Sequence, residues 1–171
     1  MDTASHLLRR YRCVLGFFLV CLILSGLTSF PLLTELELLT ASRGLDQAAQ
    51  TGPVHTLDQW LLTVRDGLRA TYAQHPWIAY GTDWLAFAHL VLAIFFLGPW
   101  LDPVRNVWVL KAGLIACLLV LPLALICGPF RGIPLGWRLI DCSFGILGAL
   151  PLWYCLRLTA RIEKATSQRS A

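Results

Sequence analysis

Of the chain's 171 residues, 57% are hydrophobic and only 14% charged, where soluble domains average ~25% charged, and long segments carry almost no charge while short ones between them carry nearly all of it. That distribution excludes an ordinary water-soluble domain and fits a bilayer protein, because crossing ~30 Å of hydrocarbon takes ~20 mostly apolar residues whose backbone groups are all satisfied internally. The net charge of +4 reads as membrane topology, with no nucleic-acid partner. The expected fold is all-α: a polytopic membrane protein forming one domain over 1–171, with four transmembrane helices and an extracytoplasmic amphipathic helical segment between spans one and two.

The first span is expected at about 11–33. MDTASHLLRRYR followed by CVLGFFLVCLILSGL has the basic and apolar regions of a signal peptide. However, SGLTSFPLLTELE offers no A-x-A-like cleavage site and the apolar stretch is long, so the segment reads as an anchor.

The outer segment, 34–80, carries two helix-start signatures of the capping-box type, Thr34-x-x-Glu37 and Thr56-x-x-Gln59. The first helix is expected to end near Gly44, with AAQTGP as a linker. In the second, Leu57, Trp60, Leu61, Val64, Leu68 and Tyr72 recur at helical spacing, with Asp58, Gln59, Arg65, Asp66 and Arg69 on the other side. Such a helix can lie on the leaflet or roof the bundle. With three arginines against five acids, the segment is not a polybasic lipid anchor.

The second span, about 82–101, and the third, about 107–127, are separated by only DPVRN. Asp102 can cap the next helix and Pro103 suits its first position, so the two spans are expected to form a tight antiparallel hairpin. Trp84 and Trp100 bracket the second span, and Trp108 and Trp137 the third, as interfacial indoles do.

The turn GPFRGIP then leads to the fourth span, about 139–158. Basic residues on the side of the termini and the short connection are Arg9, Arg10, Arg12, Arg105 with Lys111 close behind it, and the tail's Arg157, Arg161, Lys164 and Arg169, nine against the five of Arg43, Arg65, Arg69, Arg131 and Arg138 over a longer stretch on the other side. The positive-inside rule therefore makes both termini cytoplasmic.

Polar residues in this frame converge on the outer half. Along the fourth span Arg138, Asp141, Gly145, Gly148 and Leu152 share one face, and two glycines there allow close approach of a neighbouring helix. Asp141 is thus expected to look into the bundle, with Arg138 one turn outward as its nearest partner. In GTDWLAFAH, Asp83 lies at the outer end of span two and His89 about 9 Å deeper. If spans two, three and four pack together, they gather Asp83, His89, Arg131, Arg138 and Asp141 into a polar pocket under a helical lid, with Trp137 beside it.

Each member also has a plainer structural role. Thr82 or Asp83 can cap the second span, Arg131 can be a solvated turn residue, Arg138 and Asp141 can form a register-fixing ion pair, and His89 can be a neutral core histidine. The six cysteines lie in or at the ends of spans without a C-x-x-C pair and read as structural, with Cys127 and Cys142 the one pair placed to meet.

No metal-ligand spacing, nucleotide-binding glycine motif or hydrolase signature is present, and His89 is the only histidine inside a span, so no metal or cofactor is expected. The lipoprotein signal peptidases share this size, four spans and two outer aspartates, which makes Asp83 and Asp141 the analogous dyad. The asparagine-containing blocks of that family have no counterpart, since Asn106 is the chain's sole asparagine. YGTDWLAFAH, DPVRNVWV and RGIPLGWRLIDCSFG instead resemble a group of small bacterial four-span membrane proteins without an assigned function. The resemblance covers about 80–158, implies an integral protein of a bacterial inner (plasma) membrane, and carries over no catalytic residue.

These readings favour a noncatalytic binding or accessory protein. Its outward pocket would hold an anionic or zwitterionic ligand, such as a membrane lipid headgroup, through Arg131, Arg138, Trp137 and Asp141, and a protein partner or a second copy could add to it. An intramembrane hydrolase or transferase using Asp83, His89 and Asp141 is the alternative. A small proton-coupled transporter subunit is a third, disfavoured because no acid, base or histidine lies between Lys111 and Cys127 in span three to serve as a relay.

Overall fold

The computed structural model of the protein describes residues 3–170, and side chains from 5 to 168; Arg169, counted in the basic tail, lies outside the described side chains. Among the described residues all regular structure is helical. Helix α1 (Thr3–Thr28) is followed by a short turn and three helices, outer in the sense of lying outside the apolar stretches: α2 (Leu32–Ser42), α3 (Leu45–Thr51) and α4 (Thr56–Gln74). A single 3-10 turn leads into α5 (Tyr80–Phe95) and its short continuation α6 (Leu97–Leu101). Then come α7 (Val107–Pro122), a π turn over Leu123–Cys127, α8 (Gly128–Phe130) and the long α9 (Leu135–Ser170).

Four stretches are long and apolar enough to cross a bilayer: Ser5–Thr28, Pro76–Leu101, Val107–Phe130 and Leu135–Gln168. Their outward faces are apolar too, since Phe17, Ile94, Leu119 and Phe144 are each 60% or more exposed. Water would disfavour such a surface and hydrocarbon does not, so the protein is a multi-pass membrane protein.

Packing order differs from the expected hairpin. Helix α9 lies between α7 and α1, and α1 in turn packs on α5. Helices α5 and α7 meet mainly at the α6 end, where Phe96 approaches Gly113. The short connection alone does not force pairing along the whole length: α6 carries the second span on to Leu101, and Asn106 Nδ2 donates to the carbonyls of Gly98 and Asp102 across the turn that follows. Asp102 does cap, accepting from the Arg105 amide at 3.0 Å, but it caps that turn and α7 starts only at Val107.

Close approach of α7 and α9 follows the small-residue logic. A Cβ at Gly145 would fall 2.5 Å from the Cys117 carbonyl oxygen, so only glycine permits this backbone separation. The core at the end bearing the termini joins α1, α7 and α9 through Tyr11, Leu15, Leu110, Leu152, Cys155 and Leu158. At the other end α7 loses its regular ladder. Pro122 has no N–H to donate, and the helix widens into the π turn directly after it.

The outer segment is a three-helix unit with its own small core of Leu36, Leu45, Leu61 and Leu62. Its details correct several sequence expectations. Helix α2 begins at Leu32, so Thr34 sits inside its first turn and Glu37 is free to pair with Arg69 at 2.9 Å. Helix α4 is capped by His55, whose Nδ1 accepts from the Leu57 amide, not by Thr56. Most of the expected AAQTGP linker is helical in α3, leaving the break at Gly52 and Pro53.

Candidate functional site

Two cavities open where α7 and α9 lead away from the packed core. The smaller, about 240 Å³, lies between the π turn and α9 and is lined by Val120, Leu123, Ala124, Gly128, Arg131 and Asp141, among others. The larger, about 950 Å³, is framed by four helices: Phe18 and Ser25 from α1, His89 from α5, Cys117 from α7, and Asp141 and Phe144 from α9. Asp141 therefore stands at the wall common to both. Phe17, Phe144, Leu147 and Leu150, all more than half exposed, form part of the larger cavity's rim, so its side faces the hydrocarbon.

The glycine face of α9 expected from the sequence is present. Gly145 is buried against α7, Gly148 approaches the Cys117 sulfur, and Asp141 is half-buried on the same side. The expected ion pair is not: among the described residues neither Arg138 nor Arg131 is paired with Asp141. Arg138 instead lays its aliphatic stem across Gly128, where an added Cβ would come within 2.5 Å of Cδ. This holds its Nε in a buried position with no hydrogen-bond partner. A guanidinium nitrogen in that state carries a desolvation cost of roughly 1–3 kcal/mol that no acceptor among the described residues offsets. Gly128 itself lines the smaller cavity, so Arg138 borders it.

His89 Nδ1 lies 2.8 Å from the Leu85 carbonyl oxygen. A carbonyl only accepts, so Nδ1 donates, and Nε2 is left as the ring's acceptor in the neutral form. The ring's Cβ lies against Gly26 of α1, where an added Cβ would meet it at 2.6 Å, which fixes the histidine at the α1–α5 contact. Asp83 is half-buried in the first turn of α5 and lines neither cavity. Thr82 donates to the Ala79 carbonyl at 2.7 Å.

Trp137 packs against the outer helices' leucine core, and Leu57 of α4 covers the neighbouring Gly136. The outer unit is thus seated on the first turn of α9, one to two turns from Asp141. All six cysteines are free thiols, Cys127 and Cys142 included.

Sequence reasoning missed a second polar centre. Helical spacing put Arg65 on the outward side of α4, yet it is 5% exposed. Its Nη1 donates to Thr40 Oγ1 at 2.9 Å, its fork grips both Asp46 oxygens at 2.9 and 2.7 Å, and Nε donates to Asp66 at 2.8 Å. The Arg65 hydrogen bonds hold the Asp46 carboxyl below its ordinary range, and Asp46 and then Asp66 raise the guanidinium's own affinity for its proton. Arg43 pairs with Asp58, and Arg69 with Glu37 and Asp66, so every arginine of the outer unit is tied to an acid.

Comparison of the chain with protein-family models, curated proteins and solved structures finds no match.

Proposed function

We propose that the protein is a noncatalytic binding or accessory protein of a bacterial inner membrane, with both termini cytoplasmic, the three-helix unit outside, and a site for a zwitterionic or anionic amphiphile at the α7–α9 end. The observation that carries this reading is the partnerless buried Nε of Arg138 beside a cavity where Arg131 and Asp141 are also unpaired. A buried guanidinium nitrogen without a partner is costly, and a ligand that supplies an acceptor relieves that cost. Two cations and one carboxylate suit a headgroup with a phosphate and an amine, the arginines taking the phosphate and Asp141 the ammonium. The larger cavity continues from Asp141 between apolar walls and suits the attached chain.

Native mass spectrometry of the detergent-extracted protein tests this, with the parent beside Arg131→Ala, Arg138→Ala and Arg138→Lys. A lipid or other amphiphile held by the parent and lost from both alanine variants is the expected result, with Arg138→Lys weakened because lysine lacks the bidentate fork. Equal retention by all four forms overturns the assignment of the arginines.

A second reading, an intramembrane hydrolase or transferase, draws on one observation: His89 and Asp141 line the same cavity. It has to proceed without Asp83, which is placed elsewhere.

A further inference from the structure

At the opposite end of the bundle a third cavity, about 300 Å³, is formed between α1 and α9 by His6, Arg9, Arg10, Cys13, Val14 and Tyr154. Its lining is graded. Three basic side chains come from the first turns of α1, then Cys13 and Val14 continue along the same helix toward the membrane centre, and Tyr154 faces them from α9. Among the described residues no acid is ion-paired with Arg9, Arg10 or His6. On α9, Arg157 stands over the ring of Trp153, the neighbour of Tyr154, with its guanidinium carbon 3.8 Å from the ring centroid, so α9 also carries a cation near this end.

Positive charge at this end is required by topology alone, but topology needs only charge outside the hydrocarbon. It does not call for an open groove shared by two helices, with arginines at one end and apolar side chains at the other. We infer that this recess is a binding site for one anionic phospholipid from the leaflet facing the termini, with its phosphate on Arg9 and Arg10, His6 as a further donor, and its glycerol and first methylenes along Val14, Cys13 and Tyr154. Charge complementarity selects the headgroup, and the apolar floor selects a lipid over a soluble phosphate. The site is separate from the Arg131–Arg138 cavity, which lies at the far end of α9, and does not depend on what that cavity binds.

The test is a native mass spectrometry titration of the full chain with phosphatidylglycerol or phosphatidylcholine of identical short chains, using the parent, the double variant Arg9→Gln/Arg10→Gln, and Arg138→Ala. The parent is expected to take its first phosphatidylglycerol roughly 20-fold more tightly than phosphatidylcholine, the double variant to lose most of that preference, and Arg138→Ala to keep it. An unchanged preference in a folded double variant overturns the site. So does a preference that disappears only in Arg138→Ala, or displacement of the lipid by inorganic phosphate at the same concentration, which would make free phosphate the ligand. Should the double variant not fold, the parent decides alone: equal binding of the two lipids overturns the inference.

Discussion

The contact between α7 and α9 makes a prediction whose sign can be worked out from the backbone. Replacing Gly145 by alanine adds a Cβ that would lie 2.5 Å from the Cys117 carbonyl oxygen and 3.1 Å from Val120 Cβ. The first neighbour is backbone, so no rotamer change relieves the overlap. Ordinary contact between such atoms is about 3.3 Å, and the helices must therefore separate by several tenths of an ångström. A gap of 0.5–1 Å already forfeits a quarter to a half of each dispersion contact along the seam, and overpacking of this kind costs about 1–3 kcal/mol.

Gly67 supplies the opposite case. It lies inside α4 with open space around its Cβ position, and alanine there is expected to stabilise by about 0.5–1 kcal/mol through helix propensity alone. Thermal unfolding in one detergent, followed by near-ultraviolet circular dichroism, should put Gly145→Ala below the parent and Gly67→Ala at or above it. A Gly145→Ala protein as stable as the parent would refute the close α7–α9 approach, and with it the shape of both cavities at that end.

Three further outcomes are expected. Because Asp46 is held below its ordinary range by Arg65, its contribution to the outer unit is fully present above about pH 4, the unfolded carboxylate value, and is lost as pH falls through the lower folded value. Protection of the α2–α4 amides relative to their intrinsic exchange rate should therefore fall only at strongly acid pH in the parent, while Asp46→Asn is already less protected at pH 7; equal protection in the two proteins at neutral pH would remove Asp46 from the clamp. Asp141→Asn should leave folding intact and weaken retention of an amine-bearing amphiphile, whereas loss of a measurable hydrolytic turnover with binding unchanged would favour the enzymatic reading. In detergent, a maleimide should label Cys127 readily and Cys142 and Cys155 only after denaturation, with no mobility change on adding a reductant; protection of Cys127 would contradict its exposure.

Membrane architecture was legible because a span is written in one contiguous run: each of the four apolar stretches contains a helix long enough to cross. The same is true of the glycine face of α9, where the i, i+3, i+7 spacing of Asp141, Gly145 and Gly148 follows from helix geometry alone. What depended on more than one segment was not legible. The connection 102–106 is short, but length did not reveal that α9 would lie between α7 and α1 or that α1 would pack against both α5 and α9. Arg65 looked solvent-facing because a single-helix projection cannot include α2 and α3, which fold over that side and bring Thr40 and Asp46 to it. Of the expected constellation, Arg131, Asp141 and His89 line adjoining cavities and Arg138 borders one. Asp83, in the first turn of α5, lines neither cavity, and Trp137 packs against the outer unit instead.

The hydrocarbon-facing rim of the larger cavity changes what concentration means for this protein. An amphiphile that binds there as proposed would enter past Phe17, Phe144 and Leu147, from the bilayer by two-dimensional diffusion and not from solution. Occupancy then follows the occupant's mole fraction among the lipids and is insensitive to diluting the vesicles in buffer, so a titration plotted against bulk molarity would report partitioning into the membrane in place of affinity for the protein.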